Sequence, residues 1–231
     1  AAVSAIDDNV GRLVTALEDA GLTQDTVIVY YSDHGDHFSY RGSDHKFTCH
    51  EDSIKVPMVI SWPGTIAAGQ VIDPFVGLQD LMPTLLDWAG LEIPEYLHGR
   101  SLVPLLEGKS VPWREAHYTE NVIRGPFIEQ RSVRTKEWKL ILTRSVRFLQ
   151  GYMALNELYD LVEDPEEELN IYKTPRQDSH NRFRNTPPQT EVIESLVQLL
   201  KRQAAEIDDQ LGVDMADFTL VEMQKRKAAG E

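Results

Sequence analysis

The six residues Thr26-Val27-Ile28-Val29-Tyr30-Tyr31 constrain the fold of this chain more than any other stretch. All are β-branched or aromatic, so they read as a strand apolar on both faces, the pattern of a strand inside a parallel sheet. Ahead of them Val3, Ile6, Val10, Leu13, Val14 and Leu17 recur at helical spacing, with Asp7, Asp8, Arg12, Glu18 and Asp19 off that stripe. This is the pattern of a helix packed on one side, and Gly21 supplies its stop. Helix, short turn and doubly apolar strand make half of an α/β crossover, which predicts a mostly parallel sheet with flanking helices.

A second strand is expected over Val56-Pro57-Met58-Val59-Ile60-Ser61, closed by Trp62-Pro63-Gly64. A helix is expected from Leu78 to Ala89, stopped by Gly90, with Pro83 near its start or at a kink. Leu102 to Leu106 reads as a short apolar turn or helix ending at Gly108. After Pro112 the texture changes. Arg131 to Arg134, Trp138 to Leu142 and Glu157 to Asp160 alternate like strands of a small antiparallel sheet, with Trp138 and Tyr159 as core residues. The boundary is placed between Gly108 and Trp113, giving an α/β part over residues 1–110 and a small α+β subdomain over 111–231. Within the latter, Asp164-Pro165-Glu166-Glu167-Glu168 reads as a solvated charged turn and residues 174–190 as an irregular loop. Val192, Leu196, Leu199, Leu200, Ala204, Ile207 and Leu211 predict one final amphipathic helix, with a frayed tail after Met223.

A formal charge of −14, from 37 acidic against 23 basic residues, argues against nucleic acid or an anionic membrane as the main partner. No run of 18 apolar residues is present, and Ala1 to Val10 lacks the features of a signal peptide. The lone Cys49 cannot close an intramolecular disulfide, which leaves the compartment open. A chain that opens without Met, directly on an amphipathic pattern, reads as a piece of something longer.

The chemistry is expected in Ser32-Asp33-His34-Gly35-Asp36-His37, at the carboxyl end of the first strand, where open α/β sheets bind ligands. Four of the seven histidines, His34, His37, His45 and His50, fall in this loop with Asp33, Asp36, Asp44, Glu51 and Asp52. Carboxylates and imidazoles together suit a divalent cation, and a solvated polar turn is the alternative. Gly35 would let the backbone turn so that neighbouring side chains face one ion. Lys46 is either a surface ion pair or a fixed cation for a tetrahedral anion. His37 either faces a substrate or is simply a loop residue, whereas His98 and His117 read as surface or locally hydrogen-bonded.

Ser32-Asp33-His34-Gly35, then Lys46, then Glu51-Asp52-Ser53-Ile54-Lys55-Val56-Pro57-Met58-Val59-Ile60 resembles the later part of the catalytic domain of type I sulfatases, in the alkaline-phosphatase superfamily. Ile6 to Leu13, His98-Gly99-Arg100-Ser101-Leu102 with Pro104-Leu105-Leu106, and Glu157 to Leu161 with Glu163 to Asn170 agree in the same order. The resemblance implies that Asp33 and His34 are a pair of metal ligands and that Lys46 contacts the sulfate group. Oxygen ligands suit calcium. A histidine where many members carry Asn also admits manganese or another transition ion.

The family's early Asp pair, its upstream histidine and its formylglycine, made from Cys or Ser in a Cys-x-Pro-x-Arg setting, have no match in this sequence. Cys49-His50-Glu51-Asp52-Ser53 lacks the Pro and the Arg. Ser110-Val111-Pro112-Trp113-Arg114 fits the pattern but follows the Asp-His pair instead of preceding it. The resemblance therefore implies the C-terminal part of a sulfatase that hydrolyses sulfate esters, with its nucleophile outside these residues and its partner the N-terminal half of the catalytic domain. Alone, the chain would be inactive. Its substrate would be a small sulfate ester or a sulfated sugar; aryl and choline sulfates remain open. A phosphonate monoester or phosphodiester hydrolase of the same superfamily, and an inactive binding lobe, are the alternatives. An exposed sheet edge would also permit a homo-oligomer.

Overall fold

The computed structural model describes residues 2–38, 45–123, 128–145, 156–172 and 189–230. The chain begins with helix α1 (Ala2–Asp19), strand β1 (Ile28–Tyr31), the single-turn helix α2 (Glu51–Ile54) and strand β2 (Met58–Ser61). Helices α3 (Leu81–Trp88) and α4 (Val103–Leu106) lead into strands β3 (His117–Ile123), β4 (Ile128–Arg134), β5 (Trp138–Ser145) and β6 (Glu157–Asp160). Helices α5 (Thr190–Glu206) and α6 (Gln210–Ala229) follow. These elements form two compact units, residues 1–33 with 56–113 and residues 34–55 with 114–231.

In the first unit α1 stops at Gly21, whose φ of +67° is the left-handed conformation that ends helices. The expected mix of helices and strands is present, but β1 and β2 pair antiparallel, with Ile28 opposite Ser61 and Tyr31 opposite Met58. A parallel pair needs a crossover, usually a helix, to return the chain to the same end of the sheet. Among the described residues between these strands the only helix is the one-turn α2, so the chain comes back in the opposite direction. The pair is also not buried on both faces, since Tyr31 and Val59 are exposed. Likewise α1 fully buries none of its residues: Val10, Val14 and Leu17 of its apolar stripe are half-buried, while Val3, Ile6 and Leu13 are exposed.

The rest of the unit is built around the start of α3. Pro83 lies in the first turn, where its missing N–H removes no helical bond. Trp88 meets Trp62 edge to face at 5.5 Å, and the Trp62 indole donates to the Gln24 carbonyl at 2.8 Å. The buried Asp80 carboxylate accepts the Gly77 N–H at 2.9 Å and the Arg100 N–H at 2.8 Å. Gly99 presses on this turn so closely that a Cβ there would stand 1.9 Å from the Gln79 carbonyl oxygen. The His98-Gly99-Arg100-Ser101-Leu102 segment is therefore seated on α3, with His98 exposed.

In the second unit the four strands run in the order β3-β4-β5-β6, each pair antiparallel; β4, β5 and β6 cover the three expected segments, and β3, which carries His117, is a fourth strand beyond that expectation. Both faces of this sheet are covered. Leu140 and Leu142 of β5 pack with Val133, Leu158, Val197, Leu200 and Met215, which brings α5 and α6 onto one face. Each such side chain fully buried contributes roughly 1.5–3 kcal/mol. Ile141, pointing the other way, packs with Cys49, Tyr159 and Leu161.

The single final helix expected from periodicity is two helices. Asp208 takes φ +58°, and the Asp209 N–H returns to the Ala204 carbonyl at 2.9 Å. Asp209 then accepts from the Arg131 guanidinium and from the Tyr118 hydroxyl, the latter at 2.5 Å, so the break is pinned to the sheet. Helix α6 continues past Met223 to Ala229, where Gly230 at φ +78° caps it. Most of the expected loop at 174–190 lies outside the described residues.

Candidate metal and anion site

Asp33 is the last residue of the first unit and is exposed; His34, next in the chain, begins the second and is half-buried. Gly35 is not among the glycines with positive φ; what calls for a glycine here is close approach of two backbones. Its N–H donates to the Ser53 carbonyl at 2.8 Å, and a Cβ there would stand 2.0 Å from the Asp52 carbonyl oxygen.

His34 Nδ1 is 2.7 Å from the Gly35 carbonyl oxygen, which can only accept, so Nδ1 carries the proton. The other ring nitrogen, Nε2, then presents a lone pair, and the Lys46 ammonium donates to it at 2.5 Å. A neutral imidazole with its proton on Nδ1 is the tautomer whose Nε2 can ligate a metal, and here that lone pair accepts from Lys46.

The loop between them is closed at its described ends. Asp36 accepts the Phe38 N–H at 2.6 Å and contacts His45 Nδ1 at 3.3 Å. The Phe38 amide, helped by His45, holds the Asp36 carboxyl below the usual carboxylate range. The His37 N–H donates to the His45 carbonyl at 2.7 Å, and the His37 side chain is buried. Phe38 and His45 both adopt φ +49°, a conformation uncommon outside glycine. Asp44 lies outside the described residues.

His50 and Glu51, grouped by sequence with the loop's ligands, are turned onto the sheet. The Cys49 N–H donates to Gln130 Oε1 at 3.1 Å, and burial pushes the Cys49 thiol up to about 12. His50 Nε2 lies 3.0 Å from Glu157 Oε2 and 3.1 Å from the Tyr159 hydroxyl. The Glu51 N–H, at the start of α2, donates to Glu167 Oε2 at 2.7 Å.

Beneath α2 lies a charge cluster that sequence reasoning missed. Lys139, fully buried, is 2.9 Å from Glu51 Oε1 and 3.0 Å from Glu167 Oε1, and Arg134 Nε is 3.1 Å from the same Glu51 oxygen. Burial raises the Glu51 carboxyl, but Lys139 and then Arg134 outweigh it and hold the group below its ordinary value. Glu167 is thus buried, in a φ +54° conformation, although its Glu-rich turn reads as solvated surface. Asp164 shapes that turn by accepting the Glu168 and Leu169 N–H groups at 3.0 and 2.7 Å. The available signal was Lys139 itself, since a lysine facing inward from an otherwise apolar strand requires a counter-charge.

Among the described residues no group of three or more His, Cys, Asp and Glu side chains could hold a metal ion. By residue type a carboxylate and an imidazole, as at Asp33 and His34, suit a divalent ion, though two such side chains fall short of a full coordination shell. A cavity of about 850 Å³ in the first unit, walled by Ile60, Trp62, Ile72 and Leu105, includes none of these residues.

An antiparallel sheet with two C-terminal helices, joined to a mixed helix and strand unit, defines the C-terminal region of a type I sulfatase. The family model for N-sulphoglucosamine sulphohydrolase, C-terminal, matches residues 37–186, and the chain belongs to that family. It is 36% identical over 180 residues to an N-acetylglucosamine-6-O-sulfatase from Bacteroides thetaiotaomicron, covering 74% of this chain and 31% of that protein. It also resembles a protein solved in complex with its substrate D-glucosamine-2-N,6-O-disulfate (TM-score 0.74, 29% identity, 90% of this chain and 40% of the other). A phosphonate monoester hydrolase from Silicibacter pomeroyi shares the fold at TM-score 0.64 and 25% identity, over 87% of this chain and 38% of its own. The chain spans about a third of the length of the curated relatives it matches.

Proposed function

We propose that this chain is the C-terminal part of a sulfatase acting on sulfated sugars, and that Asp33, His34 and Lys46 are its contribution to the active site. The observation that carries this reading is the contact of Lys46 Nζ with the Nε2 lone pair of a tautomerically fixed His34. It sets a cation beside the atom that would ligate the ion; on metal binding the Nε2 lone pair would pass from Lys46 to the ion, leaving the ammonium to the ester. Asp33 and His34 would hold a divalent ion, calcium or else manganese or another transition ion, which would neutralise charge on the sulfate oxygens. Lys46 donates to the ester or leaving oxygen and stabilises the negative charge that grows there as the S–O bond breaks. His37, buried beside this pair in sequence, is assigned to the wall of the substrate pocket. No Cys-x-Pro-x-Arg occurs in the 231 residues, and the reading assigns the formylglycine nucleophile to a part of the polypeptide outside them.

The test is turnover by the full-length polypeptide on N-acetylglucosamine 6-sulfate and on a phosphonate monoester. Sulfate-ester hydrolysis is expected, with Lys46→Ala lowering kcat by about 10²–10³ and Lys46→Arg recovering part of the loss. The 231 residues alone are expected to turn over neither. Hydrolysis of the phosphonate without the sulfate would favour the second reading, which the likeness to a phosphonate monoester hydrolase supports.

A further inference from the structure

We infer that the buried cluster of Lys139, Glu167 and Glu51 positions the His34–Lys46 pair, with helix α2 as the rigid piece between them; the inference rests on the functional reading of that pair. The two members of the pair reach α2 by separate routes. His34 is followed by Gly35, whose N–H is bonded to Ser53 inside α2 and whose missing side chain lets the two backbones meet. Lys46 leads within five residues through Cys49, His50 and Glu51, each of which is bonded to the sheet or to the Glu167 turn.

A four-residue helix cannot hold its own shape, because nucleating one turn costs more than it returns. Its order must come from what it rests on. Three supports converge on it: the Glu167 carboxylate on the Glu51 N–H, the Lys139 ammonium on the Glu51 carboxylate, and the Glu157–Tyr159 pair on the His50 ring. The charged supports are out of water, so they are directional and strong, and they tolerate little displacement. Glu167 and Lys139 are positioning residues on this account. They touch neither a ligand nor the reacting atoms, and act by fixing where His34 and Lys46 stand.

The experiment reads the His34 ring directly in the 231-residue chain, by nitrogen-15 NMR at about pH 8, where an ordinary imidazole is neutral. The wild-type chain should show the single tautomer with the proton on Nδ1. The charge-balanced Lys139→Met/Glu167→Gln variant should lose that signature and show a mixture of tautomers. Asp209→Asn, which loosens the break between α5 and α6 without touching α2, serves as the control for lost stability. It should keep the single tautomer. Equal change in both variants, or in neither, overturns the inference. If the double variant does not fold, Glu167→Gln alone should still shift the tautomer ratio, and an unshifted ratio overturns it. The measurement needs no metal. A failed sulfatase assay on the full-length protein with an intact tautomer effect would therefore remove the functional reading and leave the positioning in place.

Discussion

The Lys139 ammonium and the Glu167 carboxylate stand 3.0 Å apart with neither side chain exposed to solvent. Each is tolerable away from water only because of the other and of Glu51 beside them. Glu167→Ala is therefore expected to lower the unfolding free energy by about 3–5 kcal/mol, read as a lower urea midpoint at constant slope. Lys139→Met/Glu167→Gln, which removes both charges together, should lose less than the single substitution. An equal or greater loss in the double variant would mean that the packing of these side chains, and not their charge, sets the cost.

Gly35→Ala tests the close approach to α2. A Cβ at this position would meet backbone, the Asp52 carbonyl oxygen at 2.0 Å, and backbone cannot rotate away as a side chain can. The strand-to-loop junction must shift, at a cost of about 1–3 kcal/mol. Hydrogen exchange of the amide at position 35, now bonded to Ser53, should accelerate while amides of β4 and β5 hold their protection. Unchanged exchange at position 35 would show that the junction tolerates a side chain.

Cys49 should be chemically silent in the folded chain. Burial pushes its thiol up to about 12, with Lys139 opposing only in part, so almost no thiolate exists at neutral pH. Iodoacetamide is expected to label it only after denaturation, as counted by mass spectrometry. The same shift makes a linkage prediction. The native thiol holds its proton more tightly than the unfolded one, so its contribution is whole below about pH 8.5 and is lost as the pH climbs toward the native value. Stability should decline across that alkaline window, and Cys49→Ala should flatten the decline.

Acid acts on other groups with the opposite sign. Burial would raise both Glu51 and Asp209, but Lys139 and Arg134 in the first case, and hydrogen bonds from Arg131 and Tyr118 in the second, hold them below the ordinary carboxylate range. The unfolded chain binds protons at these positions more readily than the native one. Their contribution is whole above about pH 4–5 and is lost as the pH falls through the depressed native values. Urea midpoints measured from neutral pH down to about pH 3 should fall, and Glu51→Gln and Asp209→Asn should each make the fall shallower. Curves parallel to wild type would place the acid-labile groups elsewhere.

Local pattern made much of this fold legible. The first strand, the stop at Gly21, the alternation of β4 and β5 and the short α4 all follow from neighbours a few residues apart, which is the range over which periodicity and capping act. The direction of the β1–β2 pair was not legible, because it depends on what connects them and not on the strands themselves. The candidate site divides the same way. Asp33, His34 and Lys46 stand out by residue type and position, whereas Lys139 and Glu167 do not, since a buried charge becomes intelligible only beside its partner. The break between α5 and α6 belongs with them: its cause is Arg131, far back on β4.

The supports of α2 lie far along the chain from α2 itself. Cys49 is bonded to a residue 81 positions later, His50 to one 107 later and Glu51 to one 116 later. On a ribosome adding about 5–20 residues per second, Lys46 is made on the order of ten seconds before the glutamate that holds its segment down. During that interval the supports arrive in turn, Gln130 and Lys139 before Glu157 and Glu167. The order of synthesis thus makes the full seating of α2 conditional on the chain having been made at least as far as Glu167. A polypeptide released early would carry the α2 segment without its last support.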